Sequence, residues 1–163
     1  MHIIIKNKFL TYGDYKVKCA IGKRGINSFK KEGDLTTPRG KFKIKGVFYR
    51  KDRVKRLKTK LRKDVIKKNM GWCDDSNSKK YNKLIKFPFH LSSEKLYRKD
   101  NIYDLLIVLN YNMNPIRKKK GSAIFIHVAK KKYLPTKGCI ALKKNELLKL
   151  LKLIKKNCIV EII

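Results

Sequence analysis

The residues best suited to chemistry in this chain are Cys139 and His127, in the stretch IHVAKKKYLPTKGCIAL (residues 126–142). A thiol becomes a strong nucleophile when a base takes its proton, and histidine commonly serves as that base. Gly138 allows a tight turn directly before the cysteine, and N–H groups at such a turn can stabilise the oxyanion of acyl transfer. Lys137 would lower the pKa of the thiol if its side chain pointed inward. The spacing alone fits a buried structural thiol and a core histidine equally well.

The elements that must position this pair are predicted to be β-strands. Residues 103–110 (YDLLIVLN) and 122–129 (SAIFIHVA) are near-continuous apolar runs of strand length, typical of central strands covered on both faces. Alternation along the second run places His127 on the same face as Ala123 and Phe125. The loop YLPTKGC is long enough to return the chain beside this strand, so the sequence predicts a histidine and a cysteine on neighbouring segments.

The other segments also favour a mainly β fold. Residues 14–22 alternate apolar and polar side chains with the period of a half-buried strand, and residues 33–44 (GDLTTPRGKFKI) read as a loop that feeds another strand. Residues 143–157 place leucines on one helical stripe with lysines opposite. A last strand, CIVEII, follows this C-terminal helix.

Two segments are predicted to lie outside the regular core. Residues 50–69 are highly basic with sparse apolar positions, which indicates an exposed, partly helical excursion. Residues 70–82 (MGWCDDSNSKKYN) have the composition of a loop, with Trp72 as its anchor. Neither side of this region holds a self-sufficient core, so residues 1–163 are predicted to form a single domain.

Positive charge dominates the composition: 44 Lys plus Arg against 12 Asp plus Glu give a formal charge of +32. Such a charge favours nucleic acid, an anionic membrane surface or an acidic polymer as partner. Only 8 of the 44 cations are arginine, the residue suited to bidentate phosphate and base contacts. Because the lysines are also spread through almost every segment, we expect no specific recognition of nucleic acid.

The cysteines lie at positions 19, 73, 139 and 158 and form no CxxC pair. This spacing argues against a zinc ribbon or a redox motif, so we expect free thiols, no metal and no organic cofactor. Cys73 stays open as a second reactive thiol, and His90 is interpreted as a loop or strand-end residue. No signal peptide is recognised, and no stretch approaches the roughly 18 apolar residues of a membrane span.

Together these stretches resemble a known family. IHVAKKKYLPTKGCIAL resembles the signature of the YkuD-type L,D-transpeptidases, in which a histidine at a strand end precedes a Ser/Thr-x-Gly-Cys turn by about a dozen residues. GDLTTPRGKFKI resembles the TPxG stretch of that family. GWCDDSNSKKYN, LYRKDNIYDLLIVLNYN and GSAIFIHVA look like its compact, stand-alone bacterial subgroup. The resemblance covers nearly the whole chain, in the family's order.

The resemblance implies a β-sandwich with a groove, in which Cys139 attacks a peptidoglycan stem peptide and expels its terminal D-alanine. An amine of a neighbouring stem, or water, would then resolve the thioester. In this family pattern His127 is the general base, Gly138 forms the turn that presents the Cys139 N–H as oxyanion donor, and Thr136 hydrogen-bonds within the site. Lys137, a possible support of the site, replaces a histidine common in the family.

A second departure from the family pattern is Ala141, where many members have arginine. The two replacements remove a donor and a cation from the usual groove, so the identity of the acyl donor stays open while the chemistry is better supported.

Three functions remain open at this level. An L,D-transpeptidase is favoured, acting as a monomer on peptidoglycan stem peptides, with anionic cell-envelope polymers as further partners. An L,D-carboxypeptidase or other hydrolase would use the same Cys-His site. A non-catalytic basic module would bind anionic polymer or nucleic acid. The substrate suggests a periplasmic or envelope location, although no export signal is visible.

Overall fold

A computed structural model describes all of residues 1–163. It contains fourteen β-strands, one α-helix and a short 3-10 turn at Lys131–Tyr133. The strands are β1 (Ile3–Lys6), β2 (Phe9–Tyr12), β3 (Tyr15–Lys18), β4 (Ile26–Asn27), β5 (Thr37–Pro38), β6 (Gly40–Tyr49), β7 (Lys63–Val65), β8 (Met70–Cys73), β9 (Leu84–Lys86), β10 (Ser93–Lys95), β11 (Leu105–Leu109), β12 (Phe125–Val128), β13 (Ile140–Leu142) and β14 (Ile159–Ile162). The helix α1 spans Lys144–Leu153.

One large sheet organises the molecule, with the strand order β13-β12-β11-β6-β14-β1-β2-β3 and β7 paired to β6. The ten-residue strand β6 joins its two halves, because its first residues pair with β14 and its later ones with β11. The two ends of the order meet: the N–H groups of Ala20 and Ala141 donate to each other's carbonyl oxygens at 2.8 and 2.9 Å. The sheet therefore curls back on itself, as the predicted β-sandwich requires.

The main core lies inside this curled sheet. It includes the inward side chains Ile124, Ile126 and Val128 of the β12 region and Leu147 and Leu151 of α1. The predicted leucine stripe thus packs inside the sandwich. Glu146 accepts a hydrogen bond from the Lys143 N–H at 3.0 Å and so caps the first turn of the helix. The prediction of a mainly β fold with a C-terminal helix is confirmed.

A second, smaller core covers the outer face of β11 and β12. The three-stranded sheet β10-β8-β9 packs here, and Trp72 of β8 meets Phe125 of β12 edge to face, with ring centroids 5.4 Å apart. Tyr103 packs on the same Phe125 ring. The alternation predicted for residues 122–129 is confirmed, because Ala123 and Phe125 belong to this outer cluster.

The segment 50–69 differs from its prediction as a partly helical excursion. It contains no helix; its only regular element is β7. Its sparse apolar residues Val54, Leu57 and Leu61 are buried in the main core. They are spaced three and four residues apart, as on a helix, but each reaches the core from irregular backbone because tertiary contacts outweigh weak local propensity.

The segment 70–82 was also predicted as loop, which is correct only from Asp74 onward. Met70–Cys73 form β8, the central strand of the small sheet. The four strand residues are buried, and the loop-forming residues begin only after them.

No helix of the molecule is long and apolar enough to cross a bilayer.

Candidate active site

A cavity of about 450 Å³ opens between the outer face of β12, the loop before β13, the segment 30–35 and the small sheet. It is lined by every site residue predicted from the sequence: His127, Thr136, Lys137, Gly138 and Cys139. Further lining residues are Lys30, Glu32, Gly33, Leu35, Trp72, Asp74, Glu94, Arg98, Ile102, Tyr103, Ser122, Ala123, Ile124, Lys130, Leu134, Pro135 and Ala141.

The parallel pairing of β12 and β13 places the cysteine and the histidine on one face. His127 pairs with Ala141, and Ile126 pairs with Ile140. Because paired residues in neighbouring strands point to the same side, His127 and Ala141 face the cavity, as does Cys139 two residues earlier. The side chains on the opposite face of β12 pack in the main core.

Gly138 forms the turn that presents Cys139. Its φ of +143° lies in the region that favours glycine. A methyl group added here would lie 2.7 Å from the carbonyl oxygen of Thr36. The Thr136 hydroxyl holds the same turn, because it donates to the Cys139 carbonyl at 2.6 Å and accepts from the Gly138 N–H at 3.0 Å. The turn is therefore fixed by both sterics and hydrogen bonds.

The TPxG stretch supports this turn from the other side. The Thr37 hydroxyl donates to the Gly138 carbonyl at 2.8 Å and accepts from the Gly22 N–H at 2.8 Å. Thr37 is fully buried, so this hydroxyl bridges two backbone groups that lack access to water. The sequence predicted a turn here. In the structure the stretch also holds the loop that carries Cys139, through the hydrogen bond from Thr37 to Gly138.

Cys139 is partly buried, whereas the other three cysteines are fully enclosed by the protein. Its thiol donates to the Ala123 carbonyl at 3.1 Å, and its sulfur accepts the Phe125 N–H at 3.4 Å. The Cys139 N–H makes no hydrogen bond within the chain, so it is free to meet an oxyanion. Cys73, left open by the sequence, is fully buried, which removes it as an accessible thiol.

His127 is buried and held in a single orientation. Its Nδ1 lies 2.9 Å from the Val128 carbonyl oxygen, and because a carbonyl only accepts, Nδ1 carries the proton. Nε2 is then the basic nitrogen. The ring packs edge to face on Tyr103 at 5.4 Å. Burial lowers the pKa of His127 to about 4, and the positive charges of Arg98 and Lys130 act in the same direction.

No hydrogen bond joins His127 to Cys139. Burial raises the pKa of the Cys139 thiol to about 12, and the charge of Glu94 adds to this, against the Phe125 N–H and Lys30, which lower it. A thiol with a high pKa beside an imidazole with a low one rests as a neutral pair, not as a thiolate and imidazolium. An attack by this sulfur would therefore require the proton to leave as the new bond forms.

The wall opposite the cysteine comes from the small sheet. Glu94 of β10 pairs with Trp72 of β8, and Asp74 follows β8. Burial raises the pKa of Glu94, and Asp74 adds to this, while the Tyr103 hydroxyl and the cations Arg98 and Lys137 oppose it. Burial, followed by the charge of Glu94, raises the pKa of Tyr103 well above its ordinary value. Sequence reasoning missed these carboxylates, because no local motif surrounds them.

The two departures from the family pattern occupy different environments. The Lys137 side chain is exposed at the cavity rim, whereas Ala141 is buried in the cavity wall. Among the cations it is Lys30, far away in sequence, that acts on the pKa of Cys139. His90 is exposed and does not line the cavity. No group of three His, Cys, Asp or Glu side chains is arranged around a common metal position.

Comparison with known proteins identifies the family of the chain. A search of curated proteins gives no match. The family model YkuD, described as the L,D-transpeptidase catalytic domain, matches residues 3–162. That match covers both walls of the cavity and nearly the entire chain. The chain therefore belongs to the YkuD family of L,D-transpeptidase catalytic domains.

Proposed function

We propose that this protein is an L,D-transpeptidase that transfers an acyl group of a peptidoglycan stem peptide through a thioester on Cys139. The observation that carries the proposal is that Cys139 and His127 lie on the same face of one cavity. There Cys139 has a free N–H beside its sulfur, and His127 has an unprotonated Nε2. A nucleophile, a base and an oxyanion donor are the three groups that acyl transfer requires.

In the first half-reaction Cys139 Sγ bonds to the carbonyl carbon of the third stem residue, and His127 Nε2 takes the thiol proton. The Sγ–H first leaves the Ala123 carbonyl that it contacts in the resting state. The oxyanion of the tetrahedral intermediate accepts the Cys139 N–H. Collapse breaks the bond to the terminal D-alanine, whose nitrogen receives the proton from His127. A thioester remains on the enzyme.

In the second half-reaction an amine of a neighbouring stem attacks the thioester carbonyl while His127 Nε2 takes its proton. The carbon–sulfur bond breaks, and the proton returns to the departing sulfur. Water in place of the amine gives a shortened stem, which is the hydrolase outcome. Because both nucleophiles use the same groups, the choice depends on which one occupies the cavity.

The formal net charge of +32 supports a role in holding the protein on anionic polymers of the cell envelope. This attraction is independent of the thiol chemistry. A basic module that only binds such polymers would keep it without forming an acyl-enzyme.

The test is incubation of the full chain with purified tetrapeptide muropeptides, followed by intact-protein and product mass spectrometry. We expect a covalent adduct with the mass of the acyl donor without D-alanine, located on Cys139. Cross-linked dimers would assign transferase activity, and tripeptides alone would assign the hydrolase.

Lys31→Met is the matched control, because Lys31 is an exposed cation that does not line the cavity. It should form the adduct like the wild-type protein, whereas Cys139→Ala should form none. Absence of any adduct with wild-type protein, together with unchanged polymer binding by Cys139→Ala, would refute the catalytic proposal and favour the binding module.

A further inference from the structure

Lys30 is a buried cation placed against the turn that carries the nucleophile. Its side chain is 5% exposed, and it lines the same cavity as Cys139. Its Nζ lies 3.3 Å from where a methyl group on Gly138 would sit, and its Cε lies 3.0 Å from the equivalent position on Gly121. Two glycines thus leave room for this lysine to approach the site.

An ion pair holds the Lys30 ammonium in place. Its Nζ donates to Asp34 Oδ1 at 2.8 Å. Asp34 also accepts the N–H groups of Lys31 at 2.6 Å and Thr36 at 2.9 Å. Burial would raise the pKa of Asp34, but these hydrogen bonds lower it to about 2. The carboxylate is therefore charged throughout the neutral range, and its partner stays fixed.

The Lys30 ammonium has N–H donors that the ion pair with Asp34 does not use. A lysine ammonium has three N–H donors, and only the one to Asp34 is used within the chain. Asp34 also accepts two backbone N–H groups of the loop, so the lysine is not the only group that anchors this carboxylate. A buried ion pair costs desolvation free energy, and the Lys30 ammonium of this pair lies against the turn that carries Cys139.

We infer that Lys30 is a positioning residue for the nucleophile, whose fixed positive charge stabilises the negative charge that develops on Cys139 Sγ as the thiol proton leaves. This inference deepens the proposed function and rests on it for its biological meaning. The stabilised charge is that of the sulfur itself, so the effect appears in any reaction of this thiol.

Several elements packed around Cys139 contribute charged or titratable groups. Lys30 and Asp34 come from the segment before β5, Glu94 from β10, Tyr103 and Arg98 from the segment before β11, His127 from β12 and Lys137 from the cysteine loop. Lys30 and Glu94 are the two charged side chains that act on the pKa of Cys139, in opposite directions.

The experiment measures the rate of Cys139 alkylation by iodoacetamide between about pH 7 and 10, on the full chain without substrate. The Cys139 thiolate displaces iodide, a carbon–sulfur bond forms, and the thiol proton passes to solvent. Peptide mass spectrometry assigns the product, which is selective because Cys19, Cys73 and Cys158 are buried.

Lys30→Met should slow alkylation about tenfold at each pH, the effect of raising the thiol pKa by about one unit. Glu94→Gln should speed it about tenfold, because the opposing charge, which acts on the pKa of Cys139 at least as strongly as Lys30 does, is removed. The double variant should return close to the wild-type rate, and Lys31→Met should leave the rate unchanged. This pattern follows the sign of the charge, which a loosened loop would not reproduce.

An unchanged rate in Lys30→Met, or a double variant as slow as Lys30→Met alone, would overturn the inference. Thermal unfolding checks that each variant is folded, and Lys30→Gln replaces the methionine variant if that one is not. Normal charge dependence of alkylation without any muropeptide adduct would refute the proposed function alone. A muropeptide adduct with charge-independent alkylation would refute the role of Lys30 alone.

Discussion

The two walls of the cavity are built on different principles. The reactive wall, residues 123–141, places its groups through backbone: a parallel strand register, a glycine with φ of +143° and hydroxyls that bond carbonyl oxygens. The facing wall, formed by Trp72, Asp74 and Glu94, presents side chains from a separate small sheet. The candidate nucleophile and base are thus held in place by the backbone, whereas the facing wall contributes side chains to the cavity.

The walls also differ in charge. Three of the 12 acidic residues of a chain with net charge +32 line this cavity. Asp74 and Glu94 take part in no salt bridge. Cys139 and His127, in contrast, rest neutral. Changes at Cys139, His127 and the turn that carries the cysteine are therefore expected to alter the chemical step. On the facing wall, Asp74 is expected to act on substrate binding, whereas Glu94 also acts on the pKa of Cys139.

The largest effect is expected from Cys139→Ala. Removing the only accessible thiol eliminates the covalent route, so turnover of muropeptides should fall by at least about 10⁴-fold. Turnover and adduct formation are followed by mass spectrometry. Retention of a tenth of the activity would show that another group performs the attack.

The next largest effect is expected from His127→Gln, with an acylation rate lower by about 10²- to 10⁴-fold. The pKa of His127 is about 4, so its protonation removes the base only as the pH falls through about 4. Wild-type acylation should then be flat from about pH 5 to 8. The glutamine variant should instead rise about tenfold per pH unit, because only preformed thiolate reacts. A wild-type rate that falls through about pH 6.5 would contradict a buried, neutral histidine.

Gly138→Ala should affect both activity and stability. Its methyl group would meet the Thr36 carbonyl oxygen at 2.7 Å, on a backbone that disfavours side chains. We expect a loss of stability of about 1–3 kcal/mol together with the loss of most acylation. Chemical unfolding and adduct formation measure the two effects. Gly25→Ala is the control, because Gly25 also has a positive φ but no atom within 4 Å of the added methyl group. Equal loss of acylation in both variants would mean that backbone strain anywhere, not the turn at Gly138, is responsible.

Thr37→Val should have a smaller effect of the same kind. It leaves the Gly22 N–H and the Gly138 carbonyl without their buried partner, which costs about 1–3 kcal/mol. Acylation should slow about tenfold because the cysteine turn loses its support, and Thr37→Ser should restore most of it. Equal loss in the serine and valine variants would exclude the hydroxyl as the supporting group.

The smallest effect is expected from Asp74→Asn on the facing wall. Asp74 accepts the Ser92 hydroxyl at 2.7 Å, and asparagine can keep this bond. The KM for muropeptides should change about two- to threefold, as for a partly exposed charge, with the saturated acylation rate unaltered. A fall in that rate comparable to Thr37→Val would remove the distinction between the two walls.

Sequence patterns predicted much of the fold because they are local. The apolar runs at 103–110 and 122–129 became β11 and β12, and the leucine stripe became α1, since periodicity reports which side chains are buried. The prediction for the segment 50–69 was wrong because it rested on composition: few apolar residues among many cations indicated an exposed excursion, whereas Val54, Leu57 and Leu61 are buried. Distant core contacts, which periodicity does not encode, hold the segment in an irregular path.

By itself the sequence indicated the family and predicted the candidate pair Cys139 and His127 and the glycine turn, because the TPxG stretch and the histidine–cysteine signature resemble those of the family. Tertiary structure alone decided which charges act on them. Lys137 adjoins the cysteine in sequence yet is exposed at the rim, while Lys30, more than a hundred residues away, is buried against the same turn. Electrostatic interaction depends on distance through space and on the exclusion of water, and neither quantity is contained in the order of residues along the chain.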